Sequence, residues 1–486
     1  MSAYGQTYKE IIALDALPLS QAIKQRQVSC REVMGAYLAH ISQHNQRVNA
    51  LVSLRAEDEL LNEADQCDRE LARGHYRGWL HGMPQAPKDL AACKGLITSM
   101  GSPLLARQVM THDAYAIARM RQAGAIFIGR TNVPEFGLGS HTYNALFGTT
   151  GNAYNPDLSA GGSSGGAAVA LALRMLPVAD GSDMMGSLRN PAAWNNVYGM
   201  RPSYGRVPAG PAPEVFLQQL GTEGPMGRSV ADVAALLRTQ AGYGVEVPLS
   251  QHSSADLEGK LTRDFSGTRI GWLGDFNGYL ATEPGVMALC QTGLDQFRAL
   301  GIEVESCQPD YDMARLWQCW LVHRQWLIGG LSGAIYAVPK NRPQLKPEAI
   351  WEIEQGLKLS AMDVWRASVE RGNWYRALLK LFERYDYLLL PSAQVFPFDK
   401  TQHWPQHIAG RRMDTYHRWM EVVIGPTLAG LPAISVPIGS NQAGLPMGVQ
   451  IIGKAQADLA VLQLAYAHEQ HTRWVQRQLP ALLHLP

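Results

Sequence analysis

The chain has 486 residues, 43 Lys and Arg against 42 Asp and Glu, and 46% apolar residues, enough to build a large core without disulfide or metal staples. Its formal net charge of +1 removes the electrostatic reason to expect nucleic acid or an anionic membrane as the principal partner, because phosphate binding draws on a concentrated excess of Lys and Arg. The expected partner is a small molecule, with no cofactor and no metal: Cys30, Cys67, Cys93, Cys290, Cys307 and Cys319 lie far apart without a CxxC and read as reduced, packed thiols.

At the N-terminus no basic segment precedes an apolar one, and no window approaches the roughly 18 apolar residues of a membrane span. The expected location is therefore cytoplasmic, with no membrane partner. Residues 8–47 carry helix-period patterns, with Ser29 and Glu32 as a start signal, so 1–79 reads as an N-terminal helical layer. From about residue 80 short apolar runs are broken by Gly and Pro: AIFIGR at 125–130, LPVADG at 176–181, then a helical stretch from Ser229 to Gln240. Strands alternating with helices predict an α/β fold with a largely parallel sheet.

The polar, turn-rich stretch 242–265 marks an internal boundary. After it come a strand at 268–274, a helix over 284–300, a strand near 302–306, a mainly helical block at 312–385 and a strand at 387–391. The strands AISVPIG and MGVQIIG, joined by a turn, and a helix over 456–470 close the chain. With one polar break and no internal repeat, 1–486 is expected to be a single unit. Its parts are a core at 80–240, a surface connection at 241–266 and a second half at 267–486 that holds the helical subregion 312–385.

The 47 glycines are clustered among Ala, Val and Leu, which points to backbone geometry rather than to a disordered linker. The densest cluster, Gly161-Gly162-Ser163-Ser164-Gly165-Gly166, runs directly into a helical pattern. It lacks the lysine of a phosphate loop, and it lacks the strand that a G-x-S-x-G nucleophile elbow at Ser164 requires. A second serine lies in a second glycine-containing loop, Gly181 to Pro191, which includes Ser187. A helix and a strand between the loops would bring both to one end of a sheet, where open α/β folds build their sites. Serine needs a base. The 14 histidines show no Ser/His/Asp order, which leaves lysine as one option: the apolar, Pro-punctuated approach to Lys88 suits burial and a lowered pKa, against the ordinary reading of a Lys–Asp pair as solvated surface charge.

These residues resemble the amidase signature family. LHGMPQAPKDLAACKGLITSMGSPLL is similar to its lysine segment, GRTNVPEFGLGSHTYNALFGTTGNAYNP with SAGGSSGG to its central block, and GSDMMGSLRNPAAWNNVYGMRPSYGRVP to its nucleophile segment. The resemblance runs in order from about residue 28 to 470, and it implies a large open twisted mixed β-sheet flanked by helices on both faces. It further implies a catalytic triad of Ser187 as nucleophile, Ser163 as bridge after a cis Gly162–Ser163 peptide, and Lys88 as base. Oxyanion donors would be the backbone N–H groups of Met184, Met185, Gly186 and Ser187.

One departure is Met185, where the family commonly has glycine; a positive φ there would strain it. Asp183 and Arg189 match positions that support the loop, while Asn195 and Asn196 have no evident role. Trp317, Cys319, Trp320, His323 and Trp326 recur at helical spacing and are candidates for the substrate pocket. The implied activity is hydrolysis of a carboxylic amide to carboxylate and ammonia or amine, with esters or carbamates as further substrates and a homodimer as one assembly. The alternative is the catalytic A-type subunit of a tRNA-dependent amidotransferase, which the near-neutral charge and Met185 disfavour.

Overall fold

Eight strands build the main sheet of this computed structural model, which describes residues 8–252 and 255–484. In chain order they are β1 (Val178–Asp183), β2 (Tyr198–Arg201), β3 (Thr222–Gly227), β4 (Arg269–Trp272), β5 (Glu303–Ser306), β6 (Tyr387–Pro391), β7 (Ala433–Ser440) and β8 (Pro446–Ile452). Across the sheet they lie in the order β5-β4-β6-β8-β7-β2-β3-β1.

The sheet is mixed, as the resemblance implies, and not largely parallel, as the alternation of strands and helices predicts. Only β4 with β5 and β4 with β6 pair in parallel, and every other ladder is antiparallel. β1 and β2 do point the same way around an intervening helix, but β3 returns through a helix-free connection and inserts between them. β7 and β8 form the expected hairpin. The AIFIGR run contributes nothing to this sheet. Its Ile126–Phe127 pairs with Pro84–Gln85 in a two-residue parallel ladder.

The helices that matter for the site are α1 (Cys30–Val48), α2 (Gly165–Ala172), α3 (Arg189–Trp194), α4 (Val230–Gln240), α5 (Val286–Arg298), α6 (Met313–Ala337), α7 (Pro347–Gly356), α8 (Ala361–Phe382) and α9 (Asp458–Thr472). α1 begins at the predicted capping box, with Ser29 accepting from the Glu32 amide and Glu32 from the Ser29 amide. α2 is buried along its whole length. A Cβ at Gly166 would stand 2.4 Å from Asn132 N and 2.5 Å from the Ala50 carbonyl, so the small residues there let the helix pack directly on backbone.

The core has two large parts. One lies around α1, α2 and β1, with Leu171, Val169 and Val178 fully buried; the other surrounds the central strands, with Leu388, Ile434 and Ile451. The six cysteines are unpaired, five of them buried. Among the described residues no helix is long and apolar enough to cross a membrane, and no group of His, Cys, Asp and Glu is placed to hold a metal ion.

Candidate active site

Lys88 is fixed first through its backbone. It bridges Thr131, its carbonyl accepts from Arg130 Nη2 at 2.8 Å, and its amide donates to Asp180 Oδ2 on β1 at 3.1 Å. Asp89, next in the chain, faces Arg130 Nε at 3.3 Å and accepts from the Ser99 amide at 3.1 Å. The side chain of Lys88 then runs inward, 1% exposed. Nζ lies 2.8 Å from Ser163 Oγ, 2.8 Å from Ser164 Oγ, 3.0 Å from Ser182 Oγ and 3.2 Å from the Ser182 carbonyl.

Burial disfavours the ammonium and lowers the Lys88 pKa to about 7, against the opposing pull of Asp183, Asp180 and Glu223. A neutral amine offers one lone pair, so one of the three surrounding hydroxyls can donate to it.

Ser163 and Ser164 contact Nζ equally, and their surroundings separate them. Ser163, which follows a cis peptide after Gly162, lines a cavity of about 310 Å³ together with Ser187, Met184 and Met185. Ser164 stands at the N-cap position of α2 without a side-chain capping bond, is fully buried and is absent from the cavity wall. No strand leads into it, since residues 151–164 carry only isolated bridges. Of these two serines only Ser163 links the lysine to the cavity; Ser182, 3.0 Å from Nζ through its hydroxyl, lines the cavity as well. The Ser163 hydroxyl is not hydrogen-bonded to that of Ser187 among the described residues, a gap of the kind that substrate binding closes in many ligand-free sites.

Ser187 sits in the turn between β1 and α3. Asp183, the last residue of β1, organises that turn: its carboxylate accepts from the amides of Gly186 at 2.9 Å and Leu188 at 3.1 Å and from Arg189 Nη2 at 2.9 Å and Nε at 3.0 Å. Burial would raise the Asp183 pKa, but Arg189 and Arg201 hold it well below the usual carboxylate range. The loop-supporting role expected for this pair is what its contacts describe.

The Gly186 contact modifies the expected set of oxyanion donors. With its N–H turned onto Asp183, Gly186 is not free to donate, whereas the amides of Met184, Met185 and Ser187 have no acceptor among the described residues. Gly186 instead supplies the turn, at φ +75. Met185 has no positive φ, so it is unstrained, and its 2% exposed side chain joins the core while bordering the cavity. Asn195, unexplained in the sequence, ties the segment before Ser163 to α3: Nδ2 donates to the carbonyls of Ala160 at 2.8 Å and Pro191 at 2.9 Å, and Oδ1 accepts from the Ala153 amide. Asn196 anchors the C-terminal region through the carbonyls of Trp474 and Gln478.

The expected pocket residues are displaced. None of Trp317, Cys319, Trp320, His323 or Trp326 lines the cavity. Trp317 and Trp320 are buried in the core, Cys319 donates to the Ala367 carbonyl at 3.3 Å, and burial lowers the His323 pKa to about 4. Burial also pushes the Cys319 thiol up to about 12, the opposite of a nucleophile's environment. α6 does reach the cavity, through Arg324, Ile328 and Leu331, which share another face of the helix at i, i+4 and i+7. Leu90, Phe136, Leu138 and Met420 complete the apolar wall, and Gln218, Thr222 and Glu223 the polar one.

Sequence reasoning missed Ser182 and Asp180, both of which hold Lys88. Their alternation along β1 places them on one face of the strand, and this period of two is the signal that could have found them. Arg324 and Glu223 left no such signal.

Comparison with known proteins places these features in a wider set. A family model described as Amidase matches residues 32–462. The chain is 31% identical to the A-type subunit of a glutamyl-tRNA(Gln) amidotransferase from Thermosynechococcus vestitus, over 95% of this chain and 98% of that protein. It is 30% identical to an acylamidase of Rhodococcus erythropolis, over 96% and 97%. Among solved structures, a bacterial aryl acylamidase of the amidase signature family superposes with a TM-score of 0.89 at 29% identity, over 98% of each chain.

Proposed function

Because the chain belongs to the amidase family, whose members hydrolyse amides, we propose that it acts on its own as a hydrolase of a carboxylic amide, through an acyl-enzyme on Ser187. The observation that carries this reading is the buried Lys88, held near neutrality and bonded to Ser163 on the wall of the cavity that Ser187 shares.

In this reading Ser187 Oγ attacks the amide carbonyl carbon. Its proton passes to Ser163 while the Ser163 proton moves to the lone pair of Lys88 Nζ. The amides of Met184, Met185 and Ser187 are the donors for the oxyanion, each typically worth about 10²–10³ in rate. When the C–N bond breaks, the proton returns through Ser163 to the departing amine. Water then attacks the ester, and the same relay accepts its proton, releasing the carboxylate and restoring Ser187. Activated esters and carbamates would enter the same route.

The relatives named as amidotransferase subunits support a second reading, in which the chain serves as the A-type subunit of a tRNA-dependent complex. The acylamidase relatives and the chain's near-neutral charge favour the first.

The test is to purify this chain alone, treat it with a fluorophosphonate and map the label by mass spectrometry, then measure amine and ammonia release from a panel of anilides and primary amides. Labelling of Ser187, lost in Ser187→Ala, with turnover by the isolated chain is expected. Labelling of Ser164 would return the assignment to a nucleophile elbow. Labelling of Ser187 without turnover would favour the complex-dependent reading.

A further inference from the structure

The cavity wall carries one carboxyl group that the protein itself leaves without a partner. Glu223 lies on β3, opposite Ser182 across the ladder from β1. Among the described residues its carboxyl makes no hydrogen bond and no ion pair, and Oε2 is buried without a partner. The other charges at the cavity are balanced. Asp183 is bound by Arg189 and faces Arg201, while Arg324 is bound by Glu352 at 2.5 Å and Tyr416 at 2.6 Å. Glu223 also borders the adjoining groove along residues 204–215 and so stands where groove and cavity meet.

A buried polar atom with no partner is costly, and one that persists beside a cavity marks where a ligand group belongs. We propose that Glu223 selects the substrate, and that the cavity takes amides carrying a protonated amino group, whose ammonium binds the Glu223 carboxylate. This rests on the reading of the Ser187 cavity as an amide-hydrolysing site.

An ammonium fits better than a neutral donor because its positive charge offsets the cost of ionising a buried carboxyl, and its three N–H groups can serve both carboxylate oxygens. The apolar side chains of Leu90, Phe136, Ile328 and Leu331 would cover the hydrocarbon between ammonium and amide. Binding the ammonium also has to ionise the carboxyl. Burial and the Asp180 carboxylate push it up to about 8 against the pull of Lys88, so it is held largely neutral until a cation neutralises its charge.

The test uses calorimetric binding to Ser187→Ala, which needs no turnover. β-Alanine anilide is compared with butyranilide, its methyl isostere, and N-(2-aminoethyl)benzamide with N-propylbenzamide, so that the ammonium is offered on the acyl side and on the amine side in turn. At least one amine-bearing compound is expected to bind about 10-fold or more tightly than its isostere, and Glu223→Gln in the Ser187→Ala background to bring that ratio to about one. Equal binding of both pairs, or a ratio untouched by Glu223→Gln, overturns the proposal.

Should Glu223→Gln fail to fold, a crystal structure of Ser187→Ala with the preferred compound decides: the ammonium nitrogen belongs within about 3 Å of the Glu223 carboxylate, and a nitrogen placed elsewhere refutes it. Failure of the amide-hydrolase reading would look different, as absent turnover of all four compounds by the wild-type chain with the ammonium preference intact.

Discussion

Arg189 clasps Asp183 through two parallel bonds, Nη2 to Oδ1 at 2.9 Å and Nε to Oδ2 at 3.0 Å, with neither side chain exposed to any extent. Such a pair is expensive to break from one side, because the remaining charge stays buried. Arg189→Met should lower unfolding free energy by about 3–5 kcal/mol, read from denaturant midpoints. Since the same carboxylate fixes the amides of Gly186 and Leu188 on either side of Ser187, kcat should fall with it. A loss of stability under about 1 kcal/mol would mean that the pair is not the brace it looks like.

Activity should follow the charge on Lys88. With burial lowering its pKa to about 7, kcat/KM for an uncharged amide is expected to rise about tenfold per pH unit below 7 and to level off above it. Stability follows the same proton. The unfolded chain keeps a lysine protonated up to about 10.4, so between pH 7 and 10 the unfolded state binds more protons than the folded one. The wild type should therefore gain stability relative to Lys88→Met as pH rises through that window, by at most about 1.4 kcal/mol per unit. Parallel urea titrations of the two chains from pH 6 to 10 measure the slope, and a flat difference across that window would show Lys88 charged in the folded state.

Ser163 and Ser164 offer a cleaner discrimination than either alone. Both touch Lys88 Nζ at 2.8 Å, but only Ser163 borders the cavity. Ser163→Ala should reduce kcat by about 10²–10⁴, and Ser164→Ala by much less. Single-turnover kinetics with a p-nitrophenyl ester report acylation directly, and equal losses in both variants would put the proton path through Ser164 as well.

Gly186→Ala tests the turn that presents the nucleophile. A Cβ there would come within 2.8 Å of Val423 Cγ2, at φ +75. Left-handed backbone costs a non-glycine residue about 1–2 kcal/mol, and relief of the clash would shift the amides of Met185 and Ser187. The expected result is a fall in kcat of about 10²–10³ with KM nearly unchanged, and a compensated KM increase at constant kcat would speak against the amides' role.

Much of the site was legible because it depends on local chemistry. One helix and one strand between the two glycine-containing loops can bring them to the same sheet end, and the approach to Lys88 suits burial, while the roles of Ser187, Ser163 and Lys88 come from the family resemblance. Faces and partners were harder to read. The aromatic spacing of Trp317, Trp320 and His323 marks a face of α6 that packs against the core, but periodicity does not say which face meets a cavity, and the answer was Arg324, Ile328 and Leu331. Strand direction failed for a similar reason: β3 slots between β1 and β2, a long-range choice that alternation of elements does not encode. Glu223 carries no signal in the sequence, since its isolation follows from what surrounds it in space.

β1 is the outermost strand at its end of the sheet, where free peptide groups invite another chain to add on. At Ser182 that invitation is withdrawn by side chains. The amide reaches Ser164 Oγ at 3.4 Å, and the carbonyl accepts from Lys88 Nζ at 3.2 Å and from Ser164 Oγ at 3.4 Å. The proposed general base thus also satisfies peptide groups at the border of a sheet whose last strand is buried almost throughout.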